Sequence, residues 1–207
     1  MRGGEPSRRL GEVEEGTLFD TGEPHRQADL VAALRRLHEE SEQYLAALPA
    51  AEFVAPQGEK WSPADHVRHL AKSTFPLARA LGLPRPLLFL RFGVSRRGSR
   101  AFPELREVYL AGLAAGGQAG RYAPSPRPIP DDAEAWRAQV LGTWGQAHEA
   151  LLAQAVRWPE RSLDRYRLPH PLLGPLTIRE MLFFTLYHNA HHLRLVAARV
   201  PLGSRAN

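Results

Sequence analysis

The stretch "TIREMLFFTLYHNAHHLRLVAARV", residues 177–200, decides the fold of this chain. Its apolar residues recur at the spacing of one helix face, which predicts a long amphipathic helix. Thr177, followed three residues later by Glu180, has the pattern of a capping box and marks where the helix begins. The stretch also raises a question, because histidines lie among its Phe, Leu, Val and Ala residues.

Two of these histidines share the apolar face. At about 100° per residue, His192 lies about 40° from His188, whereas His191 lies about 60° from His188, at the edge of the face. Two imidazoles four residues apart can bind one metal ion, because one helical turn brings their nitrogens together. The spacing alone often arises by coincidence. Buried imidazoles without partners are costly, however, and a metal would remove that cost if another helix supplied a third ligand.

Three further helices are predicted upstream. The segment "HRQADLVAALRRLHEESEQYLAAL", residues 25–48, has apolar residues near helical spacing. A second helix is expected over residues 63–82, with Ser62 as its N-cap and a bend or an end near Pro76. The third is expected over residues 131–158.

Four long helices without a strand pattern predict an all-α fold, a four-helix bundle with a long irregular connection between helices 2 and 3. That connection, residues 83–130, is rich in proline and glycine, contains one short helix, and would serve as a lid or a substrate wall. Residues 159–176 are predicted as a loop. The predicted domains are a mobile N-terminal arm over residues 1–26, the bundle domain over residues 27–200 and a C-terminal tail over residues 201–207.

The third metal ligand is ambiguous on the pattern alone. The second predicted helix offers both His66 and His69 in "DHVRHL". His66 lies nearer to the apolar positions of that helix, but only at their margin, so the helical wheel does not decide between the two. His148 lies within an apolar run of the third helix and is either a core histidine or a fourth ligand.

Two segments carry a resemblance to a known family. "KWSPADHVRHLAKS", residues 60–73, resembles the tryptophan-to-histidine signature of the DinB/YfiT-like superfamily. "HPLLGPLTIREMLFFTLYHNAHHLRLV", residues 170–196, resembles the closing signature of the same group, a His-Pro loop followed by a helix with HxxHH. The order of elements agrees over roughly residues 27–200.

The resemblance implies a four-helix bundle that binds a divalent metal (zinc, nickel, iron or manganese) through three histidines. Carried over by position, the ligands are His69, His188 and His192, so the resemblance selects His69 where the wheel leaned to His66. The family often has a glutamine three residues after the last ligand, where this chain has Leu195. This departure puts the role of that glutamine in doubt but leaves the ligand set unchanged.

Around these ligands, further residues are candidates for the pocket. Asp65 lies one turn before His69 and could orient it, although a first-turn charge that stabilises the helix is the alternative. His66, His191 and Tyr187 are the remaining pocket candidates.

Three histidines leave open positions on a metal, which is typical of a catalytic site. Characterised relatives include transferases and isomerases that use a small intracellular thiol, so the resemblance implies a metal-dependent thiol transferase, or a hydrolase. The chain has no cysteine, and a thiol would therefore come from the substrate. The alternative is a non-catalytic binding or stress-response module with a protein or nucleic-acid partner and a structural or vestigial metal site.

Composition and charge also bear on the binding partners and the cellular location of the protein. The net charge of +5 includes a basic cluster, "RFGVSRRGSR" at residues 91–100, which we interpret as a solvated loop rather than a nucleic-acid contact. The absence of cysteine fits a reducing cytoplasm, and no apolar run reaches the length of a membrane span. A small-molecule substrate is expected, and the apolar segment "PLLFLRF", residues 86–92, is a candidate homodimer interface.

Overall fold

The four long helices expected from the sequence are present in the computed structural model, which describes residues 18–56, 58 and 60–200. In chain order the elements are α1, Gln27–Ala47; α2, Ala50–Val54; α3, Pro63–Leu81; α4, Arg85–Phe92; α5, Phe102–Ala114; α6, Ala133–Ala155; α7, Glu160–Leu163; β1, Arg167–His170; β2, Gly174–Thr177; and α8, Ile178–Ala197. The long helices are α1, α3, α6 and α8. None of the helices in this described part of the chain is long and apolar enough to cross a membrane.

The long helices pack around one core. Both α1 and α3 contact α6 and α8, so α1 and α3 occupy opposite corners of the bundle. Apolar faces from all four helices meet inside, because burying these faces is the main favourable contribution to folding. The largest fully buried side chains include Leu30, Leu34, Leu37, Leu45, Leu70, Trp144, Leu151 and Phe183. The prediction of an all-α bundle is confirmed.

The two helices that carry the candidate ligands begin at capping boxes. Thr177 Oγ1 accepts a hydrogen bond from the Glu180 backbone N–H at 3.1 Å, and Glu180 Oε2 accepts one from the Thr177 N–H at 2.9 Å. At the start of α3, Ser62 and Asp65 make the equivalent pair of bonds. Each box satisfies N–H groups that have no partner within the helix, which fixes where the helix starts. The helix α3 runs through Pro76 to Leu81, close to the predicted bounds, so of the two alternatives at that proline an end is wrong.

The connection over residues 83–130 is more regular than predicted. It contains α4, α5 and a short 3-10 turn at Gly120–Tyr122, where the sequence predicted one short helix. The helix α4 is the segment proposed as an interface, and its Leu88 is buried whereas Leu90 is 82% exposed. A homodimer through this segment stays a prediction.

Residues 159–176 are not simply a loop, which corrects the sequence prediction. They form α7 and, together with Thr177, an antiparallel hairpin in which β1 pairs with β2. Pro169 lies opposite Pro175, and neither proline can donate a backbone hydrogen bond to the ladder. The sequence therefore lacked the usual strand signal, since prolines interrupt both strands.

The basic cluster at residues 91–100 holds the start of α8 in place. The Arg97 guanidinium donates two hydrogen bonds to Glu180, at 2.7 and 2.9 Å, and Arg100 donates through both Nε and its backbone N–H. Glu180 is fully buried. Two arginines of the cluster thus neutralise a buried carboxylate, whereas Arg96 and Gly98 beside them are exposed, so only part of the segment is solvated as predicted.

Residues 18–26 lie against the bundle. Phe19 is fully buried and packs edge-on against Tyr44, with ring centroids 5.5 Å apart. Arg179 donates a hydrogen bond to the His25 carbonyl, which ties this segment to α8. The packed chain therefore begins before Gln27. The rest of the predicted arm, residues 1–17, and the predicted tail, residues 201–207, lie outside the described residues.

Candidate metal centre

Three histidines from two helices meet in the interior of the bundle. His69 on α3 faces His188 and His192 on α8, and all three side chains are buried. The Nε2 atom of His188 lies 3.0 Å from His69 Nε2 and 3.1 Å from His192 Nε2. The two helices thus bring together the three residues that the resemblance selects.

The protons on these rings leave lone pairs facing one another. His69 Nδ1 lies 2.9 Å from the backbone carbonyl of Tyr122, which can only accept, so Nδ1 carries the proton and Nε2 carries a lone pair. His188 Nε2 and His192 Nε2 face each other, so they cannot both carry a proton while the rings are neutral. At most one proton is therefore present among the three Nε2 atoms. One proton cannot form linear hydrogen bonds to both of its neighbours.

Extra protons do not resolve this conflict, because burial disfavours the charged form of all three rings. Burial lowers the pKa of His69 below its usual value. Burial, followed by repulsion from neighbouring histidines, lowers the pKa of His188 and of His192 well below the usual range. The three rings are therefore neutral at neutral pH, and at least two of the three Nε2 atoms carry a lone pair.

This donor set fits a divalent metal ion. Bonds of about 2.0–2.1 Å in tetrahedral geometry hold neighbouring ligand nitrogens about 3.3 Å apart, close to the two distances between the Nε2 atoms. One ring nitrogen from each of the three histidines lies within 4.8 Å of the other two. A cation would accept all three lone pairs at once, which no arrangement of protons on neutral rings can do.

The histidines lie on the wall of a large cavity. Its volume is about 680 Å³, within the range of small-molecule sites. The wall is formed by α3, α8, α5, the 3-10 turn at Gly120–Tyr122 and the hairpin tip. The side chains around it are mainly apolar or aromatic, among them Trp61, Leu77, Tyr109, Leu113, Met181 and Phe184. The connection over residues 83–130 supplies part of this wall.

Comparison with known proteins agrees with this architecture. A family model described as the DinB superfamily matches residues 33–196. The chain belongs to the DinB superfamily. Searches of curated proteins and of solved structures return no match. As a DinB-superfamily chain, it has both the helical bundle and a buried histidine triad between α3 and α8, an arrangement that can hold a metal ion.

His66 lies behind the triad in this DinB bundle. Its Nδ1 is 2.8 Å from His192 Nδ1, on the side of the His192 ring that faces away from the other two Nε2 atoms. When His192 Nδ1–H donates to His66, the Nε2 of His192 is left with its lone pair. His66 thus orients His192 rather than joining the triad, and such partners typically fix the tautomer of a ligand.

Asp65 does not orient His69, and of the two roles considered for it the first-turn charge that stabilises the helix is the one present. Its carboxylate accepts hydrogen bonds from Ser62 at the helix start and from Arg68 at 2.8 Å. The backbone carbonyl of Tyr122 takes the place expected for Asp65. A carbonyl in an irregular segment leaves no side-chain signature, so sequence reasoning could not identify it.

His148 is a core histidine and not a fourth ligand. It is fully buried, its Nε2 lies 3.1 Å from the Leu34 carbonyl, and its ring stacks on His38 with centroids 4.4 Å apart. This contact lies between α1 and α6, whereas the triad lies between α3 and α8.

The two remaining candidates differ in their position relative to the cavity. His191 lines it and packs edge-on against Tyr109, with ring centroids 6.2 Å apart. Tyr187 also packs against Tyr109, at 5.8 Å, but it is not part of the cavity wall. Neither forms a side-chain hydrogen bond within the described residues.

His170 is a cavity residue that sequence reasoning missed. It lies at the end of β1, and its ring contacts Phe184, which in turn stacks on His188. Burial lowers the pKa of His170 to about 4, so the ring is neutral at neutral pH. One feature of the sequence could have identified it, since His170 is the first residue of the segment 170–196 that resembles the closing signature of the family.

Proposed function

We propose that this member of the DinB superfamily is a divalent-metal-dependent enzyme that acts on a small molecule. The observation that carries the proposal is the convergence of three Nε2 atoms on the wall of an apolar cavity, with one proton at most among them. The ligands are His69, His188 and His192. A structural site is normally closed by a fourth protein ligand, whereas three ligands beside a cavity leave room for a substrate.

The residues around the triad would prepare it for this role. A divalent ion bound there would supply Lewis acidity to a water or a thiol from the cavity. The Tyr122 carbonyl accepts the Nδ1 proton of His69, and His66 would accept that of His192 in the metal-bound state, which would direct both Nε2 lone pairs at the site. An apolar substrate that filled the cavity would displace water from the site, which would strengthen electrostatic interactions there.

A small thiol is the co-substrate class that we propose, with group transfer to an electrophile as the reaction. The chain contains no cysteine, so its own residues offer no thiol nucleophile. The cavity is large enough for both a thiol and an apolar acceptor. Three neutral imidazoles leave the positive charge of a divalent ion uncompensated, and this favours binding of a thiolate over a thiol.

Metal content tests the proposal. The full chain, purified without a histidine tag, should contain close to one divalent ion per molecule by plasma mass spectrometry. The ion should be lost in His69→Ala and in the double variant His188→Ala/His192→Ala. His191→Ala is the matched control, because it removes an imidazole beside the triad without removing a proposed ligand, and it should keep the ion.

Circular dichroism of each variant would show that loss of metal is not loss of fold. A native chain that takes up none of zinc, nickel, iron or manganese would overturn the proposal. Equal loss of metal in His191→Ala and His69→Ala would also contradict the assigned ligand set.

Cobalt(II) would then test the thiol. Titrating the cobalt-loaded chain with 2-mercaptoethanol should produce a sulfur-to-cobalt charge-transfer band in the near ultraviolet. A cobalt-loaded chain whose spectrum does not change with thiol would leave the metal site standing and remove the thiol from the proposal.

The alternative of a nucleic-acid-binding module relied on the basic cluster at residues 91–100. Arg97 and Arg100 of that cluster are bound to the buried Glu180. We therefore favour the enzyme.

A further inference from the structure

The proton of His170 is fixed by the turn of the hairpin. Its Nδ1 accepts hydrogen bonds from the backbone N–H groups of Leu172, at 3.3 Å, and Leu173, at 3.1 Å. A backbone N–H can only donate, so Nδ1 must carry a lone pair. The neutral ring therefore carries its proton on Nε2.

The Nε2–H group lies across the ring from the turn. It has no acceptor among the described residues, although His170 is only 9% exposed and lines the cavity. The ring centroids of His170 and Phe184 are 4.2 Å apart, and those of Phe184 and His188 are 4.8 Å apart. Phe184 thus contacts both His170 and the proposed metal ligand His188.

The hairpin tip that carries His170 packs against the end of α5 and the residues that follow it. Leu172 lies between Gly112, in the last turn of α5, and Gly117. A Cβ atom at Gly117 would come within 2.8 Å of Leu172 Cδ1, so only glycine leaves room for this contact. The position of His170 is therefore set by the fold rather than by a freely moving loop.

Two other polar side chains of the wall have their hydroxyl protons engaged. Ser73 Oγ donates to the Leu70 carbonyl at 2.9 Å, and Thr185 Oγ1 donates to the Met181 carbonyl at 2.8 Å. Each bond lies within its own helix. His170 differs from both, since the protein leaves its N–H without an acceptor.

We propose that His170 Nε2–H is a ligand-binding donor, and that the cavity takes an apolar molecule carrying a carbonyl-type oxygen. The oxygen accepts the hydrogen bond from His170, the apolar body lies along Phe184, and the far end reaches the triad. The inference rests on the proposed function only in using the same cavity as the ligand site. It names a specificity-determining residue and the chemical class that this residue selects.

The test uses two probes of equal size, acetophenone and ethylbenzene, which differ in the carbonyl oxygen. Their dissociation constants are measured by NMR titration of the full chain as purified and again after treatment with EDTA. Replacing His170 should lower the affinity for acetophenone relative to ethylbenzene roughly tenfold, because a buried acceptor is left unpaired. The ratio in the native chain should not change with EDTA.

Two variants separate the donor from the turn. In His170→Asn, the side-chain oxygen can still accept from the backbone N–H groups two and three residues on, but no donor reaches into the cavity. His170→Phe keeps the ring against Phe184 and loses both functions. The affinity ratio should fall in both variants, and Ser73→Ala, which removes a wall hydroxyl already bonded within its helix, should leave it unchanged.

Each outcome decides the inference. A ratio that survives both replacements but disappears with EDTA would assign the oxygen to the metal, overturning the role of His170 while supporting the proposed metal site. Failure of both probes to bind would remove the cavity as an apolar ligand site. Nitrogen-15 shifts that place the His170 proton on Nδ1 would overturn the argument at its first step, whatever the metal analysis finds.

Discussion

The Nδ1 atoms of His66 and His192 lie 2.8 Å apart, which makes His66 the partner of a proposed ligand. The other nitrogen of His66, Nε2, is buried and has no partner among the described residues. Both histidines of "DHVRHL" therefore serve the same centre, His69 through its Nε2 and His66 through the ring behind it. The helical wheel could not separate them because one is a member of the triad and the other lies directly behind it.

His66→Ala should weaken metal binding without abolishing it. The variant leaves the Nδ1 proton of His192 without its acceptor, and loss of such a partner typically costs about 10- to 100-fold in metal affinity. Competition with a chromophoric chelator measures this change. His66→Gln, whose amide oxygen can accept the same proton, should recover part of the affinity, and a complete loss of metal in His66→Ala would make His66 a ligand itself.

Asp65→Ala should destabilise the fold and leave metal affinity unchanged. Its carboxylate caps α3 together with Ser62, and loss of a cap costs about 1 kcal/mol of unfolding free energy. Urea denaturation measures the stability, and chelator competition measures the affinity. Ser62→Ala should give a similar pair of results, because it removes the other half of the capping box. A drop in metal affinity in Asp65→Ala alone would restore Asp65 as the partner of His69.

The long helices could be predicted because their signals are local. Apolar periodicity and the boxes at Ser62 and Thr177 depend only on residues within one or two turns. The hairpin could not be predicted in this way. Pro169 and Pro175 remove the alternation and the donors by which strands are recognised, and the hairpin becomes visible only when the chain turns at Gly174, whose φ is +71°.

The residues of the site likewise fall into those that local spacing predicts and those that it does not. His188 and His192 follow from spacing on one helix, but His66 and His69 are only about 60° apart on theirs, so a wheel cannot tell which one reaches α8. Tyr122 contributes a backbone carbonyl and His170 depends on backbone N–H groups of its own turn. The Tyr122 carbonyl reaches His69 through tertiary packing, and the His170 partners depend on the backbone geometry of a turn, so helical periodicity predicts neither.

Gly117→Ala should disturb the cavity wall. The new Cβ would lie 2.7 Å from the Gly112 carbonyl oxygen and 2.8 Å from Leu172 Cδ1, so backbone or hairpin must move. We expect a loss of about 1–3 kcal/mol in unfolding free energy and weaker binding of acetophenone. Gly98→Ala is the matched control, since its Cβ would meet nothing within 4 Å, and it should change stability by less than about 0.5 kcal/mol. Equal effects of the two substitutions would show that the contact with Leu172 does not matter.

Glu180→Gln should destabilise the chain at neutral pH but not in strong acid. Burial alone would raise the pKa of Glu180, but hydrogen bonds from Arg97, Arg100 and the Thr177 N–H outweigh it and lower the pKa to about 2. The unfolded carboxyl, with a pKa near 4.5, therefore takes up its proton first as the pH falls. The stabilisation is complete above pH 4.5 and is lost between about pH 4.5 and 2. Urea denaturation should show the variant about 3 kcal/mol less stable at pH 7, with the difference shrinking over this window.

Glu134→Gln is the control for this prediction. It breaks an exposed ion pair with Arg137 and should cost less than about 1 kcal/mol of unfolding free energy. A difference for Glu180→Gln that stays constant from pH 7 to pH 2 would mean that its charge does not stabilise the start of α8.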